Sequence, residues 1–152
     1  MGTTEQAKER RDSRRAAGLC GKCSNPALLG KSLCELHRQQ DRKINKRFRV
    51  NQKQRVIAGY GGKCQCEGGC DESRFEFLTI DHVNNDGAEH RRNLGSGAIG
   101  PMLYKYIIDN NFPEEYRLLC WNCNCAKGHY GECPHVNEKN AVAAMSVSAG
   151  GK

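Results

Sequence analysis

Cysteine spacing constrains this chain more tightly than any hydrophobic pattern it carries. The ten cysteines fall mostly in short-range groups: Cys20-x2-Cys23, Cys34-x2-His37, then Cys64, Cys66 and Cys70, and later Cys120-x2-Cys123. Only 38% of the 152 residues are apolar, too few for a large core, so the fold needs another source of cohesion. The stretch MGTTEQAKERRDSRR has no apolar h-region, so no secretory signal is expected, and Gln6 stands where N-myristoylation wants Ser or Thr. No apolar run approaches the roughly 20 residues of a bilayer span, so no membrane partner is expected. A reducing, cytoplasmic compartment is the resulting expectation, and disulfides do not persist there. The cysteines are therefore read first as metal ligands.

Cys20, Cys23, Cys34 and His37 supply three thiolates and an imidazole, the ligand number of a closed structural zinc site. Gly21 and Gly30 allow the tight turns and Pro26 stiffens the connection. The segment 18–37 is too poor in apolar groups to fold alone, and metal binding would supply on the order of 10 kcal/mol. A second zinc site is expected from Cys120 and Cys123 with two of the upstream cysteines. Cys70 is one of these. Its partner is Cys66 or Cys64, and Cys66-x3-Cys70 lies closer to ordinary knuckle spacing, so Cys66 is favoured. Cys125, Cys133 and His135 are left over, the last two as a surface pair or a further metal contribution.

Charge points to a polyanion. Lys and Arg number 24 against 17 Asp and Glu, a net charge of +7, which suits nucleic acid. The chain reads as a basic flexible arm (1–17), a zinc module (18–37), a basic helix (38–59), a second domain (60–135) and a flexible tail (136–152). The helix carries Arg42, Lys43, Lys46 and Arg47 as candidate backbone contacts; otherwise it is a solvated linker packed through Ile44 and Phe48. FEFLTIDH alternates as a strand from Phe75, 83–100 reads as a polar loop, Pro101 opens a short helix, and RLLCW (117–121) reads as a second strand. NCNCAKGHYG (122–131) begins a short helix. Trp121 is expected to cover the strand pair.

The first strand ends in Asp81-His82, facing a polar loop. An aspartate there can hold a hard divalent cation, and a histidine titrating near neutrality can take a proton from water. Asn124, directly after the Cys120–Cys123 knuckle, offers an amide oxygen as another hard ligand. Arg91, Arg92 and Lys127 are candidate phosphate contacts, and His90 could touch metal or phosphate.

IDHVNNDGAEHRR followed by LLCWNCNCAKGHYG and CPH resembles the HNH endonuclease family, in a form common in bacteriophages. The resemblance covers residues 60–135 and implies a ββα-metal (His-Me finger) core within a small α+β chain stapled by two structural zinc ions. It further implies a metal-dependent DNA endonuclease, acting in the bacterial host cell if phage-encoded. His82 would be the general base, and Asp81 and Asn124 would hold Mg2+ or Mn2+. Cys120 and Cys123, with upstream cysteines, would hold zinc. One centre cuts one strand, so a double-strand break would need a dimer or two events. The family's final His is Asn124 here, as in other single-metal members; the departure is the middle Asn, which is Glu115, so the usual loop-buttressing amide is missing or supplied otherwise, with Asn110 or Asn111 as candidates. The N-terminal CxxC…CxxH module also resembles one found ahead of some phage HNH domains. Two other classes fit the same basic, cysteine-rich chain: a zinc-stapled nucleic-acid-binding protein without catalysis, and a protein-binding adaptor.

Overall fold

The computed structural model describes residues 4–94 and 100–140. These form a small α+β structure, which divides into two units, Met1–Phe48 and Arg49–Lys152. The expected flexible tail lies largely outside the described residues, as do five positions of the expected 83–100 loop.

In the first unit, α1 (Thr4–Ala16) has no buried residue. The basic arm, in which Ala and Arg over 7–17 favour a frayed helix, is helical over this range, carried by that propensity rather than by packing. Gly18, at φ 68°, ends it, with the Leu19 N–H donating to the Arg14 carbonyl at 2.9 Å. A Leu19–Pro26 bridge closes the first knuckle. The long helix α2 (Glu35–Gly59) starts directly after Cys34, so the second half of the zinc motif is also a helix start. It begins three residues before the expected boundary. The border between the two units falls inside it. Ile44 and Phe48 are 61% and 49% exposed, which removes the reading of a linker helix packed through them.

In the second unit, β1 (Leu78–His82) and β2 (Tyr116–Cys120) pair antiparallel, Leu78 opposite Cys120 and His82 opposite Tyr116. β1 starts later than the alternation from Phe75 implied. The Phe77 N–H donates to the Arg74 carbonyl at 3.0 Å, so a turn occupies the residues before it. Between the strands lie α3 (Gly87–Leu94) and α4 (Pro101–Asp109). α3 falls where a polar loop was expected. Its signal was charge order: Glu89 in the first turn and Arg91 and Arg92 in the last complement the helix dipole. α5 (Trp121–Tyr130) follows β2 without a break, and a further helical segment covers 134–140.

The hairpin is covered on both faces. Val56 of α2, Leu103 and Ile107 of α4 and Tyr116 form one buried cluster, with Ile80 packed on it. Leu78, Leu119, Cys64, Cys120, Cys123 and Cys133 form the other. Four of the six members of this second cluster are thiols, so much of this core is sulfur rather than hydrocarbon. Trp121 belongs to neither. It is 63% exposed, because the chain turns from β2 into α5 at that residue, and it does not cover the strand pair.

Candidate functional site

Three groups of cysteine and histidine side chains converge in the described residues, and each could hold a metal ion. In the first unit Cys20, Cys23, Cys34 and His37 come together. Cys23 and Cys34 sulfurs are 3.8 Å apart, and His37 Nδ1 lies 3.5 Å from Cys20 Sγ and 3.3 Å from Cys34 Sγ. A tetrahedron with metal–sulfur bonds of about 2.3 Å and metal–nitrogen bonds of about 2.0 Å has S···S edges of about 3.8 Å and S···N edges of about 3.5 Å. The separations match those edges and are far too long for disulfides. Burial opposes a Cys20 thiolate, but hydrogen bonds around Cys34, Lys22 and Cys23 outweigh it and hold the thiol down at about 6.

The second group corrects the expected ligand choice. Cys64, not Cys66, joins Cys70, Cys120 and Cys123, with Cys70 and Cys120 sulfurs 3.8 Å apart. Spacing alone pointed to Cys66, but the Gln65 N–H donates to the Leu118 carbonyl at 2.8 Å. That bond seats Cys64 beside the end of β2, where its Sγ accepts the Cys120 N–H at 3.1 Å. Cys120 caps α5, its Sγ accepting from the Cys123 N–H at 3.4 Å. Burial opposes a Cys120 thiolate, yet this hydrogen bond and its thiol neighbours bring its pKa below the ordinary value. Cys66 belongs to the third group, with Cys123, Cys133 and His135. Cys133 and His135, expected as a surface pair or a further metal contribution, thus belong to a group that could hold a metal ion.

Asp81 and His82 leave β1 on opposite faces, as strand alternation requires. On the α5 face, Asp81 is 6% exposed. Its Oδ2 accepts from Lys127 Nζ at 2.7 Å and from Arg117 Nε at 3.0 Å. Lys127 also donates to the carbonyls of His82 at 2.8 Å and Val83 at 3.2 Å. The expectation of Lys127 on a phosphate is therefore overturned: it is 9% exposed and locks the strand exit. Its three bonds buttress the turn that follows β1. Glu115 contributes only its carbonyl, which accepts the Val83 N–H at 2.9 Å. Asn110 and Asn111 end α4 instead, the Asn110 amide donating to the Tyr106 carbonyl.

Asn124 lies one helical turn before Lys127 on the same side of α5. Its Nδ2 donates to Thr79 Oγ1 at 2.9 Å and weakly to the Ile80 carbonyl at 3.4 Å. Asp81 Oδ1 and Asn124 Oδ1 accept no hydrogen bond among the described residues. These two hard oxygens sit along the same stretch of β1, so the donor set is of the kind a small divalent cation takes. The two cations already on Oδ2 oppose such an ion electrostatically.

On the other face, His82 Nε2 lies 3.0 Å from His90 Nδ1, and the Tyr116 hydroxyl lies 3.3 Å from that same nitrogen. Burial, then the neighbouring His90, lower the His82 pKa from the ordinary 6.5, which favours the neutral ring. Nδ1 of His82 points at Gly87, where a Cβ would stand 2.9 Å away. Glycine keeps that nitrogen approachable. Arg91 and Arg92 are exposed at the end of α3, and Arg42, Lys43, Lys46 and Arg47 are exposed on α2. His129 is exposed. Tyr116 and Arg117 escaped the sequence reading. Register alone assigns them, opposite His82 and Asp81.

Comparison with protein-family models, with curated proteins and with solved structures returned no match. Among the described residues no helix is long and apolar enough to cross a membrane.

Proposed function

We propose that this protein is a metal-dependent DNA endonuclease of the ββα-metal type, hydrolysing one strand at a time with His82 as general base. The observation that carries the reading is the β1 exit: a partly exposed imidazole leaves one face of the strand, and an aspartate and an asparagine leave or flank the other, on a strand–strand–helix frame beside the cysteine clusters. Nothing in a binding module calls for that combination.

The chain's own groups suggest a division of labour. For His82 to take a proton from water through Nδ1, Nε2 must carry the other proton and donate it to His90 Nδ1. His90 thereby fixes the tautomer and turns the free nitrogen toward the space above Gly87. Lys127 and Arg117 hold Asp81 Oδ2, which leaves Oδ1 oriented but unused. Asp81 and Asn124 are the residues that would hold Mg2+ or Mn2+, whose chemistry is to neutralise charge on the scissile phosphate and the leaving oxygen. Arg91 and Arg92, and the basic face of α2, would position the DNA backbone. The cysteine groups would hold zinc as structural staples.

A non-catalytic, zinc-stapled nucleic-acid binder is the second reading. What favours it is the pair of cations on Asp81, which a purely structural carboxylate would also attract. Nicking of supercoiled plasmid by zinc-loaded protein separates the two. The endonuclease reading expects nicking in Mg2+ or Mn2+ and none with neither, with a loss on the order of 10²–10⁴-fold in His82→Ala at unchanged DNA affinity and zinc content. Nicking at the same rate with and without His82 would remove His82 as the base, and a folded, DNA-binding protein that does not nick would favour the binder.

A further inference from the structure

We propose that the thiol-rich core of the second unit holds a dinuclear metal cluster, with Cys123 Sγ bridging two zinc ions. Cys64, Cys70, Cys120 and Cys123 surround one ion, and Cys66, Cys133, His135 and the same Cys123 surround the other. Cys123 is the member common to both groups, and within each group all ligand atoms lie within 4.8 Å of one another. A thiolate sulfur has lone pairs for two metals, so seven side chains complete two four-coordinate sites.

The geometry of the second group is that of a ligand shell. His135 Nδ1 is 3.4 Å from Cys123 Sγ and 3.4 Å from Cys133 Sγ, close to the S···N edge of about 3.5 Å of a zinc tetrahedron. One ion cannot serve all seven groups. Cys64 and Cys66, two residues apart, fall in different groups, Cys64 with Cys70 and Cys120 and Cys66 with Cys133 and His135. They suit adjacent ions and not a single one. Cys133 and Cys123 are 8% and 0% exposed, so without a second ion a knot of thiols and an imidazole would fill a core position with no apolar gain.

The surrounding chain is built to hold His135 in place. A Cβ on Gly68 would stand 2.3 Å from the His135 carbonyl carbon and 2.4 Å from its Cβ, so the 66–70 turn packs directly on it. Lys139 Nζ donates to the Glu67 carbonyl at 2.9 Å, tying the 134–140 helix to that turn. Six thiolates and two dications leave the cluster anionic, and Arg117 and Lys127 line the cavity beside Cys66, Cys123 and Cys133. The inference does not depend on DNA cleavage.

Metal analysis of the full chain tests it. The expected content is three zinc ions per chain, falling to two in His135→Ala and in Cys66→Ser. A content of two in the unmutated protein, or an unchanged content in folded variants, would overturn the cluster. Because a variant can fail to fold, the unmutated protein loaded with 113Cd gives a second readout. Three resonances are expected, two of them split by coupling through the shared sulfur. Two resonances, or three without splitting, would overturn the bridge.

Discussion

At the scale of single residues, the β1 exit is organised by side chains whose partners lie far away in the chain. Asp81 meets Lys127 and Arg117, and His82 meets His90 and Tyr116. Asp81, His82 and Asn124 could be picked out from their types and their places at a strand end and after a knuckle. The role of Lys127 could not, because a lysine on a short polar helix looks solvent-exposed until the fold brings a buried carboxylate to it. The choice between Cys64 and Cys66 was hidden for a related reason: local spacing says nothing of the Gln65 bond to β2 that seats each thiol. Gly87 gives a sharp test at this scale. Gly87 is the first residue of α3, where an alanine is tolerated in a helical conformation, so Gly87→Ala should leave the fold in place. Its Cβ would crowd His82 Nδ1, and cleavage should fall on the order of 10–100-fold. Thermal melting and nicking rates measured on the same preparation check this. Unchanged nicking would remove Nδ1 as the working nitrogen.

Among elements, two helices start at cysteines of the clusters. α2 begins after Cys34, and α5 begins at the Cys120 cap. This part of the fold was legible, because CxxC and CxxH spacings state their own geometry. α1 was read as an arm, since its amphipathicity is weak and it buries nothing, while α3 was hidden by its glycine start and polar composition. If the first cluster is the staple of the first unit alone, Cys23→Ser should release one zinc ion per chain and cost on the order of 10 kcal/mol. Hydrogen exchange should then rise within 1–48 and stay as it was over β1, β2 and α5. Loss of protection in those strands would show that the units do not fold separately.

For the whole molecule, a net charge of +7 and exposed cations on α2 and α3 give the electrostatic footprint of a nucleic-acid ligand. Replacing Arg42, Lys43, Lys46 and Arg47 together by glutamine should weaken DNA binding without changing zinc content. Each phosphate contact contributes about 0.9 to the slope of log affinity against log salt, so the slope should fall by about 1–4. An unchanged slope would take α2 out of the interface.

The central claim is hydrolysis of a phosphodiester by water activated at His82. The most direct test is to treat supercoiled plasmid with zinc-loaded protein in Mg2+, isolate the nicked circles and offer them to DNA ligase. Attack of water on phosphorus with departure of the 3′ oxygen predicts nicks ending in 5′-phosphate and 3′-hydroxyl, which ligase seals. Nicks that ligase cannot seal, or plasmid left supercoiled by protein that binds it, would contradict the account.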